Sequence, residues 1–170
     1  GGGREALALE RQGYHVVAFE PAAPLARALA GAVRRDPRAI DVLVGRYEDL
    51  PLLGRLDGSG GVVDLGQRSR FDAAVMGWAS FSNIRSDAGR VHALRQMAAL
   101  TDGPILFSYF SYLEERTASP SRRESFAMQV GFFRQLTEAE TRDLIAEAGL
   151  EIIHHQHDGW PCAIVRRRRS

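Results

Sequence analysis

The stretch that decides the fold is GGGREALALERQGYHVVAFE, residues 1–20. Residues 4–12 have the pattern of a helix with one core-facing side, and Gly13 stands where helices commonly end in a left-handed cap. The apolar run 14–19 predicts a buried strand. That strand ends at Glu20, because the next residue is a proline, which cannot donate to a sheet. The stretch therefore predicts a helix, a tight turn and a strand.

A glycine cluster that opens a helix and an acid that ends the next strand form a nucleotide-binding pattern. Gly1 and Gly3 let the backbone approach a ligand at the helix N-terminus, and Glu20 can accept hydrogen bonds from ribose hydroxyls. The pattern predicts an adenosine-containing ligand. It leaves the cofactor open, because nicotinamide dinucleotides use the same features, and a glycine cluster can equally be a frayed end.

Helices and strands alternate beyond residue 20. Helical spacing of apolar residues occurs at 24–35, with Leu25 and Leu29 on the expected buried face, and again at 87–100. Short apolar runs predict strands at 40–44, 71–78 and 104–110. The alternation predicts an α/β domain with a Rossmann-like, doubly wound, mostly parallel sheet in three α/β/α layers. We expect a single domain over residues 1–170.

The last third of the chain has clearer boundaries. Thr137 and Glu140 form a capping box that begins a helix, and Gly149 is its expected stop. Two strands, 150–157 and 160–166, follow as an antiparallel hairpin, so the sheet is expected to end with one antiparallel strand. Two stretches, 54–70 and 113–123, lack a regular period, and we interpret them as an excursion and a polar segment.

Composition limits the function further. The 170 residues include 22 basic and 21 acidic groups, a net charge of +1 that argues against nucleic acid as a partner. No apolar run reaches the roughly 20 residues that span a bilayer, so we expect no membrane partner and a cytoplasmic protein. The single cysteine, Cys162, cannot form an internal disulfide. Nothing in the sequence predicts the oligomeric state.

Taken together, these motifs resemble the class I S-adenosylmethionine-dependent methyltransferases over nearly the whole chain. Residues 1–9 are similar to the second half of that family's glycine-rich first motif, and 16–20 to its second strand with the ribose-binding acid. Residues 47–51 resemble the loop beside the adenine, 71–78 the fourth strand, and 137–165 the closing helix and antiparallel hairpin. The resemblance implies S-adenosylmethionine as the cofactor and methyl transfer to an acceptor, which the near-neutral charge suggests is a small molecule.

The resemblance also implies site residues. The positions expected at the cofactor are Gly1, Gly3, Glu20, Glu48, Asp49, Gly77 and Trp78. Those expected at the substrate are Trp78, Ser80, Phe81, Asn83 and Tyr109. Glu48 or Asp49 is expected at the adenine amine, because Arg46 stands where the family often has an acid. Trp78 and Phe81 can equally be core residues.

No catalytic residue or metal site is predicted. Only His155 and His157 of the histidines near the C-terminus share a strand face, and no second ligand pair accompanies them. The family's first strand would lie upstream of Gly1, so we expect the chain to lack it and to be a fragment of a longer protein. Two alternatives stay open: a non-catalytic binding or scaffold domain with this fold, and an NAD(P)-dependent oxidoreductase.

Overall fold

A computed structural model describes residues 3–35, 39–47, 71–112, 124–127 and 131–168. It divides the chain into two compact units, Gly1–Ser69 and Arg70–Ser170. The excursion 54–70 and the polar segment 113–123 lie outside the described residues, as do Glu48 and Asp49. None of the helices in the described ranges is both long and apolar enough to span a membrane.

The first unit contains two helices and a two-stranded parallel sheet. In chain order the elements are α1 (Arg4–Arg11), β1 (Val16–Glu20), α2 (Ala23–Arg35) and β2 (Ile40–Val44). β1 and β2 run parallel, so that their carboxyl ends meet at the pair Glu20 and Val44. Both helices pack against the two strands. The element order follows the prediction.

The buried face of α2 is rotated from the predicted one. Ala26 and Leu29 are buried, whereas Leu25 is 42% exposed. Ile40 and Leu43 of β2 supply the strand side of the same core. Leu25 was therefore wrongly assigned to the core, because it lies in the first turn of α2, where several registers of the helix fit the apolar pattern.

The second unit is built on a four-stranded mixed sheet. Its strands are β3 (Ala74–Met76), β4 (Ile105–Ser108), β7 (Leu150–Gln156) and β8 (Cys162–Arg167), in the spatial order β3-β4-β8-β7. β3 and β4 are parallel, while β8 is antiparallel to both β4 and β7. The α/β class is confirmed, and the last two strands pair antiparallel as expected, but the expectation that the sheet ends with the antiparallel strand is corrected. The antiparallel strand lies between β4 and β7.

The helices of the second unit are α3 (Ser80–Asn83), α4 (Asp87–Leu100) and α5 (Glu138–Glu147). Side-chain caps begin α4 and α5, whereas Ala79 before α3 provides none. The hydroxyl of Ser86 accepts from the Gly89 amide before α4, and the predicted capping box of Thr137 and Glu140 begins α5. α4 packs against α5, and α5 packs against β7. Gly149, with φ of 79°, ends α5 in the left-handed region as predicted.

Two features of this unit were not predicted. One is the short helix α3, and the other is an antiparallel hairpin of β5 (Glu124–Ala127) and β6 (Gly131–Arg134). The Asn83 side chain at the end of α3 donates to the Phe132 carbonyl oxygen on β6 at 2.9 Å. The hairpin is thereby attached to the segment that follows β3.

Candidate functional site

The first unit places two predicted cofactor residues at the ends of its elements. Gly3 begins α1 with φ of 85°, and a Cβ there would overlap the Leu29 side chain. The backbone conformation therefore favours glycine at this position, and any side chain there would displace Leu29. Glu20, 8% exposed, ends β1, and its Oε1 accepts a hydrogen bond from the Ala22 amide at 2.9 Å. Gly1 lies outside the described residues.

The end of β2 lies beside Glu20. The Gly45 amide donates to the Glu20 carbonyl oxygen at 3.3 Å. Tyr47, two residues further, meets the Phe19 ring edge-on with centroids 5.0 Å apart. The start of the predicted adenine loop thus lies next to the predicted ribose acid. The adenine contact of Glu48 or Asp49 stays a prediction.

The backbone after β3 has an unusual conformation. Trp78 and Ala79 both have positive φ, 51° and 54°. A left-handed conformation at a residue other than glycine costs about 1–3 kcal/mol and is found where a site imposes it. The Ala79 amide donates to Ser108 Oγ at 2.7 Å, and Ser80 Oγ donates to the Gly77 carbonyl oxygen at 2.5 Å. These bonds hold the turn at the carboxyl end of β3.

The predicted substrate residues after this turn have different environments. Phe81 is fully buried against Phe107, with ring centroids 4.5 Å apart, which fits its interpretation as a core residue. Asn83 bonds to β6, as described above. Trp78 is 53% exposed, and its ring lies 6.2 Å from that of Trp160, which is 63% exposed. Sequence reasoning missed Trp160, because only the fold brings the β7–β8 loop to the end of β3.

Tyr109 lies just beyond β4 and is almost fully buried. Its phenol oxygen lies 2.7 Å from His155 Nε2 and 2.9 Å from His157 Nδ1, both at the end of β7. Burial raises the pKa of Tyr109 to about 12, against a smaller lowering by a hydrogen bond with Thr141. The phenol therefore keeps its proton near neutral pH. The two histidines that sequence analysis paired on one face meet this tyrosine.

A buried arginine holds the helix after β3 in place. The Arg90 side chain is fully buried. Its Nε donates to the Phe81 carbonyl oxygen at 3.1 Å, and its Nη2 lies 3.4 Å from the Ser82 carbonyl oxygen. Its Nη1 donates to Asp87 Oδ1 at 2.8 Å. Sequence reasoning missed this role. Its one signal was the Asp87 and Arg90 pair three residues apart on α4.

No protein-family model matches the sequence, and no curated protein matches it. Solved structures do match. The CcbJ methyltransferase from Streptomyces caelestis has a TM-score of 0.74 at 16% sequence identity, with 99% of this chain and 81% of that chain covered. The 1,6-didemethyltoxoflavin-N1-methyltransferase of Burkholderia thailandensis, solved with S-adenosylhomocysteine, has a TM-score of 0.68 at 18% identity over 100% of this chain and 68% of that one.

The chain has the fold of the S-adenosylmethionine-dependent methyltransferases. The identities are low, so the likeness concerns the fold. A further similar structure is the [4+2]-cyclase SpnF, with a TM-score of 0.62 at 15% identity over 91% of this chain and 49% of that one. Proteins of this fold therefore include at least one named for a different reaction.

Proposed function

We propose that the protein is an S-adenosylmethionine-dependent methyltransferase with a small-molecule acceptor, and that residues 1–170 form one doubly wound, three-layer domain. The observation that carries the proposal is the fold shared with CcbJ and the 1,6-didemethyltoxoflavin-N1-methyltransferase over nearly the whole chain. The S-adenosylhomocysteine in the second of these structures supports the cofactor.

The residues of the first unit fit the adenosine part of this cofactor. Gly3 adds no side chain of its own at the N-terminus of α1, where backbone amides can bind a ligand. The Ala22 amide fixes the Glu20 carboxylate at the end of β1, where a carboxylate can accept ribose hydroxyls. When bound, the cofactor supplies a methyl group on a sulfonium. The protein's part is alignment of the acceptor and an environment that tolerates the moving charge.

Calorimetric titration of S-adenosylhomocysteine into the full chain, with NADH as the control, tests the proposal. We expect micromolar binding of S-adenosylhomocysteine and none of NADH. A version extended upstream of Gly1 serves as a second sample. Binding of NADH instead would favour the oxidoreductase alternative. Failure of both ligands on both well-folded samples would contradict the proposal.

The two exposed indoles support an acceptor with a flat ring. Trp78 and Trp160 lie at the carboxyl end of β3 and in the loop after β7, where ligands of parallel strands bind. Their planes are tilted by 55°, so a third ring can stack on one indole and meet the other edge-on. An aromatic acceptor uses both contacts, whereas an aliphatic one uses neither fully.

Replacement of either indole by alanine is therefore expected to weaken binding of a heteroaromatic probe, 1,6-didemethyltoxoflavin, by about threefold to tenfold, the scale of one aromatic contact. Binding is measured by quenching of tryptophan fluorescence, since the chain has two tryptophans and each variant leaves one. Tyr14→Ala is the control, because Tyr14 is an equally exposed aromatic in the first unit. An unchanged Kd in both tryptophan variants would contradict the aromatic acceptor site.

A second candidate keeps the fold without methyl transfer. The likeness to the [4+2]-cyclase SpnF favours it, because a cycloaddition moves no methyl group. The chain would then bind a small molecule in the same place as a binding domain or as a different catalyst. Release of S-adenosylhomocysteine from S-adenosylmethionine in the presence of an acceptor excludes this candidate.

A further inference from the structure

Three side chains at one edge of the second unit form a continuous hydrogen-bonded series. His155, Tyr109 and His157, here named the triad, are joined at 2.7 Å and 2.9 Å through the tyrosine oxygen. His157 Nε2 continues the series to the Tyr112 carbonyl oxygen at 3.1 Å. β4 and β7 point the same way, so the triad lies at the carboxyl ends of these strands. Trp78 follows the carboxyl end of the parallel strand β3.

The hydrogen-bond pattern assigns the protons of the triad. A carbonyl oxygen only accepts, so His157 Nε2 carries a hydrogen and, in the neutral ring, Nδ1 accepts from the Tyr109 hydroxyl. The tyrosine has then used its single hydrogen, so His155 Nε2 donates to it. It follows that Nδ1 of a neutral His155 bears a lone pair.

That last nitrogen has no hydrogen-bond partner. The His155 side chain is 2% exposed, and its Nδ1 is buried without a donor or acceptor. Oε1 of Glu138 is the closest opposite charge, at 3.8 Å, and faces it from the first turn of α5. A carboxylate and a lone pair cannot bond to each other. One hydrogen on Nδ1 would convert this mismatch into an ion pair.

The triad is therefore matched to its surroundings only after it gains one proton. If the hydrogens are arranged the other way, His155 Nδ1 donates toward Glu138, but His157 Nε2 then opposes the Tyr112 carbonyl with a lone pair. Either neutral arrangement leaves one end unmatched. With one added proton both ends are N–H groups, one toward Tyr112 and one toward Glu138, and the tyrosine passes hydrogens between the rings.

We propose that the triad is the proton acceptor of the reaction, taking up the hydrogen that the acceptor heteroatom loses and holding it beside Glu138. This inference rests on the proposed methyl transfer. In that step the bond from sulfur to the methyl carbon breaks with its electron pair going to sulfur. The acceptor's O or N forms the new bond to carbon, its proton moves to an imidazole nitrogen of the triad, and the sulfonium becomes a neutral thioether.

The electrostatics of the site suit this role. Burial, followed by the nearby Arg142, lowers the pKa of His155, and Glu138 opposes that change. The ring is therefore neutral near pH 7 and able to accept a proton. A hydrogen bond from Arg142 lowers the pKa of Glu138, which keeps its carboxylate charged. The titratable or charged groups around the triad are Glu138 and Arg142 on α5, Cys162 on β8, and His154 on β7.

Two measurements on the full chain test the proposal with His155→Gln, His157→Gln and Tyr109→Phe. The first is the pH dependence, from about pH 5 to about pH 9, of S-adenosylmethionine turnover with N–H and O–H heteroaromatic compounds, including 1,6-didemethyltoxoflavin. The second follows the imidazole nitrogens by NMR over the same range. His154→Gln is the matched control, because His154 is exposed on the neighbouring position of β7.

Wild-type turnover is expected to decrease as the pH is lowered, because the triad is then already protonated. Both histidine variants should lose this decrease in turnover at acid pH. They should also turn over about 10²-fold more slowly, the lower end of what general acid–base catalysis contributes. Their binding of S-adenosylhomocysteine should match that of the wild type and of His154→Gln. In the NMR titration His155 and His157 should shift together, and Tyr109→Phe should separate them.

Unchanged pH profiles in the histidine variants, with cofactor binding intact, would overturn the proposal. Independent titration of the two imidazoles in the wild type would do the same. If the wild type binds no S-adenosylhomocysteine, the proposed function fails, and the NMR result still decides whether the triad is one proton-binding unit. If no compound in the panel is methylated, the NMR result again decides whether the triad is one proton-binding unit.

Discussion

Replacement of Arg90 by alanine is expected to destabilise the second unit by about 2–5 kcal/mol, the range for truncation of a large buried side chain. The fully buried guanidinium donates to the Phe81 carbonyl oxygen at the turn of α3 and pairs with Asp87 on its own helix. Alanine removes these donors together with most of the side-chain volume. The Phe81 carbonyl would then lack a donor in a site that water does not reach.

The effect should extend to the segment after β3. Arg90 ties α4 to the carbonyl oxygens of α3, while Ser82 Oγ accepts from the Phe110 amide after β4. Loss of the first tie leaves the second, together with the hydrogen bonds of Ala79 and Ser80, to hold the turn on which Trp78 stands. We therefore expect weaker acceptor binding in any fraction of Arg90→Ala that remains folded.

Denaturant unfolding followed by tryptophan fluorescence measures this change, because both tryptophans, Trp78 and Trp160, lie in the second unit. Arg95→Ala is the control on the same helix. The Arg95 side chain is exposed and donates to the Glu147 carbonyl oxygen, so its loss should cost under about 1 kcal/mol. Equal stabilities of the two variants would show that the buried network contributes little.

The predictions that succeeded depend on local chemistry. The capping box of Thr137 and Glu140, the stop at Gly149 and the strand end at Glu20 each follow from neighbouring residues alone. Such signals act through hydrogen bonds and backbone angles within one turn, so the sequence displays them directly. They place element boundaries and, through Gly3 and Glu20, one side of a candidate cofactor site.

The predictions that failed depend on contacts between distant segments. β8 lies between β4 and β7, and no local pattern in 150–167 indicates which of the last two strands pairs with β4. The hairpin β5–β6 lacks the two-residue turn that marks such elements in a sequence, since Ala127 and Gly131 form its last pair. Long-range pairing decides both features.

The candidate site shows the same division. Trp78 and Tyr109 follow strands and could be selected from the sequence, because ligands bind beyond the carboxyl ends of parallel strands. Trp160, His155 and His157 come from a strand and loop far along the chain, and only the fold brings them beside these two. His155 and His157 were correctly placed on one face of a strand. Their common partner Tyr109 could not be inferred from spacing.

Replacement of Glu20 by alanine is expected to weaken S-adenosylhomocysteine binding by about 1–3 kcal/mol, roughly 5- to 150-fold in Kd, the scale of a hydrogen bond to a charged group. The carboxylate is nearly buried, and the Ala22 amide holds it at the end of β1. Its orientation is therefore set before a ligand arrives, so little ordering entropy opposes the ribose contact. Calorimetric titration of the full chain measures the change.

Two variants separate this role from a structural one. Glu20→Gln keeps an oxygen for the Ala22 amide but loses the charge, so its fold should be preserved while binding weakens less than in Glu20→Ala. Glu10→Ala removes an acid from α1 away from the end of β1 and should leave binding unchanged. A wild-type Kd in a folded Glu20→Ala protein would remove Glu20 from the site. The adenosine would then have to be held at the N-terminus of α1 and by the loop after β2, without a carboxylate for its ribose.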